Sequence, residues 1–274
     1  SSADVRRVEG GGLVPPMWSP IEQGGFLDLL LSEEAGGANL PLPDLFRVLE
    51  CMGRFAVPLP FAESIVARAL VHAEVQLPGG IITLGTHLHR EADGSMVCRQ
   101  TPFGLGAGHV LAAEGESLFL LSAADASRLV VGDPREQMAD LRWDRPAAAR
   151  PVPGRGSALP LFAAAATAAL LSGAMQRSFE LALDYCNQRV QFGKPLGKFQ
   201  AVQQQLSVMA EHVLAGSIAA EAAFRTSGPV PDALAAAIAK SRCSEAAALV
   251  AATSHAVHGA IGMTDEYDLG ILTR

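Results

Sequence analysis

The rhythm of apolar and polar positions changes twice along this 274-residue chain. The first segment repeats apolar residues at helical spacing. Residues 21–31 read as a short apolar helix, broken by Ser32-Glu33-Glu34-Ala35-Gly36-Gly37. Pro43-Asp44 opens the next helix, with Leu45, Val48, Leu49 and Met52 at helical spacing and Gly53 as its stop. Pro58-Leu59-Pro60 forms a turn before a third helix over 61–71. Ahead of these, residues 1–20 look like a loose lead-in, with three consecutive Gly and the pair Pro15-Pro16.

The second rhythm starts after Leu77-Pro78-Gly79-Gly80. Short runs rich in Val, Ile, Leu and Thr occupy 81–84, 95–99, 109–113 and 117–122, with 129–131 and 138–143 continuing the series. Gly and Asp separate them, as in Asp93-Gly94, which predicts short antiparallel strands. Gly104-Leu105-Gly106-Ala107-Gly108 does not match GxGxxG and no long helix follows, so it reads as a loop.

The third rhythm follows a Pro- and Gly-rich linker at 146–156. One long helix covers 158–188. A second covers 198–225, with Leu206, Met209, Val213 and Leu214 on one face. After a turn at 227–231, Pro231-Asp232 opens a third helix to about His258. Gly259 and Gly262 interrupt, and 265–272 starts a fourth. Four antiparallel helices with short connections make a bundle. The expected fold class is α+β: an N-terminal helical domain over 1–76, a middle antiparallel β domain over 77–150, and a C-terminal four-helix bundle over 151–274.

Composition narrows the partners. Hydrophobic residues make up 49% but aromatics only 5%, so small aliphatic side chains pack the helices closely. A net charge of −7 without a basic run argues against nucleic acid. Cys51, Cys98, Cys186 and Cys243 are scattered with no CxxC, which predicts buried free thiols in a reducing, cytoplasmic setting rather than a metal site or disulfide framework. Residues 1–12 are polar and Gly-rich, unlike a signal peptide. No charge-free stretch of about 18 apolar residues stands out as a membrane span; the nearest, 158–175, reads as a buried helix, so no membrane is expected. The first residue is not Met and the chain ends at Leu272-Thr273-Arg274, which suggests processed or trimmed ends.

Candidate chemistry is sparse. Ser172, Ser178, His212, His255 and His258 lie in helical context without a GxSxG elbow, so hydrolase chemistry has no foothold. His255 and His258 stand i,i+3 but lack further ligands; charged His capping a helix C-terminus is the simpler reading, and no metal is expected. Lys194 to Lys198 lacks the GxxxxGK[ST] phosphate loop. Asp265, Glu266 and Asp268 read as first-turn acids, and Glu245 as solvated or ion-paired. Most informative is Arg189-Val190-Gln191-Phe192-Gly193-Lys194-Pro195-Leu196, followed by Phe199-Gln200. A guanidinium fork before a helix start, with Pro195 able to open that helix, suits an anion. An ordinary helix corner with a solvated Arg is the alternative.

Three stretches together resemble the acyl-CoA dehydrogenases. Arg189-x-Gln-Phe-Gly-Lys-Pro-Leu with Phe199-Gln200-Ala-Val-Gln203 is similar to the turn between that family's third-domain helices. His258-Gly-Ala-Ile-Gly-Met-Thr-Asp-Glu-Tyr-Asp-Leu269 is similar to its later Gly-rich turn. Leu30-Leu-Ser-Glu-Glu-Ala-Gly-Gly37, Leu49-Glu-Cys-Met-Gly-Arg54 and Pro58-Leu-Pro60 look like its N-terminal domain. The resemblance implies a β-barrel-like middle domain between two helical ones. It implies FAD as cofactor, an acyl-CoA substrate from fatty-acid or steroid side-chain breakdown, an electron-transfer flavoprotein as acceptor, and assembly as a homo- or hetero-tetramer with another acyl-CoA dehydrogenase subunit. By position, Arg189 binds the pyrophosphate of a neighbour's FAD. Gln191, Phe192, Gly193 and Gln200 line that cofactor, and His258, Gly259 and Ala260 meet its adenosine half.

The departures carry as much. A family base sits either in a loop beyond the Gly-rich turn, past Arg274, or early in the first long bundle helix. The latter location falls near Ala163, where residues 161–167 contain no carboxylate. No Thr-Glu-Pro-x-x-Gly-Ser stretch marks a flavin-ring site. Three readings follow: a heteromer subunit lending half an FAD site, a self-sufficient homo-oligomer whose base lies past Arg274 or is a residue such as Glu245, and a non-enzymatic scaffold. The catalytic residue is unknown on all three.

Overall fold

The computed structural model describes residues 2–10, 15–144 and 149–274. Parts of the expected lead-in (1 and 11–14) and linker (145–148) lie outside the described residues. The first elements are α1 (Ser2–Glu9), α2 (Pro15–Gln23), α3 (Leu42–Arg54) and α4 (Phe61–Leu70). Then come β1 (Ile82–Gly85), β2 (Leu88–Arg90), β3 (Met96–Thr101), β4 (His109–Glu114), β5 (Ser117–Ser122), β6 (Ser127–Val130), β7 (Ala139–Trp143) and β8 (Ala149–Val152). Last are α5 (Leu159–Gln188), the two-residue strands β9 (Val190–Gln191) and β10 (Lys194–Pro195), α6 (Gln200–Phe224), α7 (Ala233–His258) and α8 (Leu269–Thr273). The chain divides into two compact units: Ser1–Val5, Pro43–Val57 and Ala164–Arg274 form one, and Arg6–Leu42 with Pro58–Ala163 the other.

In the second unit the strands form two four-stranded sheets, ordered β1-β4-β5-β8 and β2-β3-β7-β6. Met96, Cys98, Leu141 and Trp143 from one sheet and Val110, Ala112 and Leu121 from the other share a buried core. No closed barrel joins them among the described residues. The expectation of purely antiparallel pairing needs correction, because β1 pairs β4 in parallel, Ile82 opposite His109. Strand β8 also corrects the linker reading: Pro151 can sit there because β8 is a sheet edge, where no donor is missed.

The lead-in is also corrected, since α1 and α2 are helical and bury Val5, Val8 and Trp18. Pro15 and Pro16 open α2, where a missing N–H costs nothing. The helix expected over 21–31 stops at Gln23 because Gly25 takes φ 72°; a single 3₁₀ turn, Phe26–Asp28, follows.

The first unit is built on α3, α5, α6 and α7. Helices α3 and α5 approach so closely that a Cβ on Gly53 would lie 1.9 Å from the Leu170 carbonyl, and one on Gly173 1.9 Å from that of Glu50. The Glu50 carboxylate accepts from Ser172 Oγ (3.0 Å), Gln176 Nε2 (2.7 Å) and Ser217 Oγ (3.3 Å), tying α3, α5 and α6 together. Between α6 and α7 runs a seam of small residues: Gly216, Ala220 and Ala223 on one, Ala236, Ala239, Cys243 and Ala246 on the other. Asp232 caps α7 by accepting from the Ala235 N–H at 2.8 Å. The expected fourth long helix is the five-residue α8, because Asp265 and Glu266 precede it in a turn instead of opening it.

Two further expectations change. By length and composition, helices around α5 and α7 are apolar enough to cross a membrane, with 56% and 28% of their most apolar stretches buried. All four cysteines are free, but Cys51 is exposed while Cys98, Cys186 and Cys243 are buried.

Candidate functional site

Helix α5 ends where the Arg189 N–H bonds the Tyr185 carbonyl (2.8 Å). The next residues form a β-ribbon, Gln191 opposite Lys194 and Val190 opposite Pro195, closed by the Leu196 N–H on the Arg189 carbonyl (2.9 Å). Its two-residue loop is Phe192-Gly193, with φ 51° and 81°. Positive φ at both central positions is the type I′ hairpin turn, which Gly193 adopts freely and Phe192 only under strain. Pro195 therefore belongs to the ribbon; α6 starts later, at Gln200.

This hairpin stands in solvent. Arg189, Gln191, Gly193 and Gln200 are exposed, and Phe192 is 89% exposed. Phe192 meets the Phe199 ring edge-on at 6.2 Å, and Lys194 Nζ lies 4.3 Å above that ring. Phe199, the N-cap of α6, contributes no side-chain acceptor. Arg189, Lys194 and Lys198 make no ion pair among the described residues. Three uncompensated cations before an uncapped helix start can hold an anion, and Arg189 can do so with two parallel hydrogen bonds.

The second predicted cluster is divided by the structure. Gly259, at φ 65°, and Ala260 are exposed. His258 is only 3% exposed. Its Nδ1 lies 2.7 Å from the Ser254 carbonyl and its Nε2 3.1 Å from the Tyr267 hydroxyl. Burial lowers its pKa below the usual imidazole value, and the Ser254 and Leu181 carbonyls only partly oppose that. The expected charged cap is thus a neutral, buried ring. His255 bonds Thr273 Oγ1 through Nε2 (2.9 Å). Among the described residues no group of three or more His, Cys, Asp or Glu could hold a metal.

Tyr185 brings the two clusters together. Its ring stacks on His258 at 4.6 Å, setting the last turn of α5 against the last turn of α7. The hairpin and the Gly259 turn thus emerge from helix ends that touch. Other candidates lie elsewhere: Glu245 is exposed and pairs with Arg242 (3.2 Å), and residues 161–167 are helical, with Phe162, Ala165 and Ala166 buried. The sequence reading did not single out Glu63, in the first turn of α4, whose carboxyl burial pushes up to about 7. Nothing in its local pattern marks it, because the burial comes from the fold.

A family model, acyl-CoA dehydrogenase, C-terminal domain, matches residues 162–274. Acyl-CoA dehydrogenase IpdE2 of Mycobacterium tuberculosis is 30% identical over 250 residues, covering 90% of this chain and 76% of the relative. Among solved structures, a variant of the Tcur3481-Tcur3483 steroid ACAD superposes with TM-score 0.79 at 26% identity, over all of this chain and 86% of that one. A chain of the ChsE4-ChsE5 complex from Mycobacterium tuberculosis gives TM-score 0.83 at 20% identity, over all of this chain and 85% of that one; this likeness is one of fold. Motif, fold and relatives agree: the chain belongs to the acyl-CoA dehydrogenase family.

Proposed function

We propose that this chain is one subunit of a hetero-oligomeric, FAD-dependent acyl-CoA dehydrogenase and lends half of an FAD site to a second subunit. The observation that carries this reading is the hairpin, where an exposed, unpaired Arg189 stands beside a Phe192 that is 89% exposed. A surface Arg without a carboxylate and an aromatic without a cover both need a partner. Arg189 would hold the pyrophosphate; Gln191, Phe192, Gly193 and Gln200 would line the cofactor; Gly259 and Ala260 would meet its adenosine side. The residue types suit that group: a bidentate cation, an uncapped helix start and a glycine at positive φ in each turn, Gly193 and Gly259.

Bound FAD supplies a hydride acceptor for the α,β-dehydrogenation of an acyl-CoA thioester, with electrons passing on to an electron-transfer flavoprotein. This chain's part is to bind and orient. Residues 161–167 hold no carboxylate that could take the α-proton; on this reading the second subunit supplies that base. One observation favours a second, different chain; another favours a helical partner subunit, whichever chain supplies it. The ChsE4-ChsE5 neighbour is a complex of two named chains. Leu234 and Ile238 of α7, and Leu214 and Ile218 of α6, are more than half exposed, an apolar face suited to another helical subunit. The division into segments 1–76, 77–150 and 151–274 belongs to the same proposal.

The test is spectroscopic. The chain purified alone should be colourless, and yellow when co-expressed with a catalytic acyl-CoA dehydrogenase subunit. Near-stoichiometric FAD in the lone chain overturns the shared-site reading in favour of a self-sufficient enzyme. In the yellow complex, Arg189→Ala should weaken FAD retention by about ten- to a hundredfold, the range for a charged hydrogen bond. Unchanged retention removes Arg189 from the site.

A further inference from the structure

His258, matched by position to the adenosine side of the cofactor, has its ring inside the protein. Three aromatic rings stand in a row there. Tyr185 and His258 have centroids 4.6 Å apart with planes at 32°, and His258 and Tyr267 4.9 Å apart with planes at 52°. The hydrogen bonds set the central ring's state. The Ser254 carbonyl can only accept, so Nδ1 carries a proton. Burial disfavours a second proton, so Nε2 offers its lone pair to the Tyr267 hydroxyl at 3.1 Å. With both nitrogens engaged, the imidazole is free neither for a ligand nor for proton transfer.

Each ring is joined to a candidate ligand turn by a short piece of backbone. Tyr185 lies one helical turn before Arg189, and its carbonyl accepts the Arg189 N–H. His258 directly precedes Gly259. Tyr267 closes the far side of the 259–267 loop, where the Thr264 N–H and Oγ1 both bond the Ile261 carbonyl (3.2 and 2.8 Å) and the Tyr267 N–H bonds the Thr264 carbonyl (3.3 Å). The loop passes so near the ring that a Cβ on Gly262 would come within 2.9 Å of the His258 Cβ. Tyr185 contributes only its ring, since its hydroxyl has no hydrogen bond among the described residues.

We infer that Tyr185, His258 and Tyr267 are positioning residues, a clamp that holds the Arg189 hairpin and the Gly259 turn at a set spacing and so pre-forms the lent half-site. This rests on the shared flavin site proposed above. Preorganisation of this kind raises affinity by reducing the ordering cost on binding. His258 then acts on the ligand through the backbone of both turns, without touching it.

Hydrogen–deuterium exchange on the full chain tests the clamp without flavin. Tyr185→Ala should speed exchange at 189–196 and 259–264 about tenfold, the weight of one aromatic pair, and leave the α6–α7 seam unchanged. Tyr185→Phe, which keeps the ring, should match the wild type. Tyr267→Phe, a milder change that keeps the fold, should raise exchange only at 259–264. FAD retention by the complex should fall about tenfold in Tyr185→Ala and recover in Tyr185→Phe. Unchanged exchange at both turns overturns the clamp. Faster exchange with FAD retention intact, in a complex where Arg189→Ala still loses FAD, overturns the positioning role and leaves the half-site standing. If Arg189→Ala also retains FAD, the half-site reading fails, and the clamp's link to flavin fails with it.

Discussion

The hairpin at 190–195 and the turn at 259–263 emerge from touching helix ends but are held by opposite means. The hairpin takes its internal fold locally, from two residue pairs and a type I′ loop, needs the Tyr185 contact only for its placement, and turns all its chemistry-bearing groups to solvent. The Gly259 turn is held by a distant contact, His258 packed between Tyr185 and Tyr267. The difference separates residue type from role. Arginine and histidine both suggest ligand binding in a sequence. Here the arginine is free to bind, and the histidine is committed to packing and hydrogen bonds.

Substitutions can break this contrast. The largest expected effect is from His258→Ala, which leaves a cavity and strips the Tyr267 hydroxyl of its acceptor. It should cost about 3 kcal/mol in denaturant unfolding, whereas Arg189→Ala should change stability by less than about 0.5 kcal/mol. Equal costs for the two would mean that the hairpin is as structural as the histidine. Next is Gly193→Ala, which places a side chain at φ 81° and should cost about 1 kcal/mol, confined to the ribbon. Protection of the α7 amides should stay at wild-type levels, and its loss would show that the hairpin is not held locally.

The smallest effect is on pH dependence. An unfolded histidine takes up its proton near pH 6.5, while folded His258 does so only at lower pH. The unfolded state therefore binds more protons just below pH 6.5, so stability declines as pH falls through that value toward the folded pKa. His258→Gln should show a shallower decline than wild type between pH 7.5 and 5. Identical slopes would mean that the ring is not held neutral by burial.

Much of the helical architecture was legible in the sequence. The expected strand at 117–122 matches β5, and the helix expected over 158–188 matches α5 within one residue at its start. These are runs whose own composition, caps and breakers decide their conformation. Harder cases were set by distant partners. β2 has three residues and little apolar pattern, and β8 carries Pro151; each is a strand because a neighbouring sheet edge accepts it. The parallel pairing of β1 with β4 joins strands separated by β2 and β3, which no local pattern encodes. At the candidate site, Arg189 and its Gly193 turn stood out because the octet carries its own turn chemistry. Tyr185 and Tyr267 did not, being single aromatics in unremarkable helix and loop contexts.

The sequence by itself determined the family, the broad order of helical and β segments, the basic turn at 189–196, and the absence of a carboxylate at 161–167. Those properties are local: they follow from which residues are adjacent. Only the tertiary structure decided that the strands make two sheets, that α8 is short, that Cys51 is exposed, and that His258 is an internal bolt. Burial and partner choice depend on chain segments far apart in sequence. The same histidine on an exposed helix end would have been a cap or a ligand, and packing between two tyrosines removed both options.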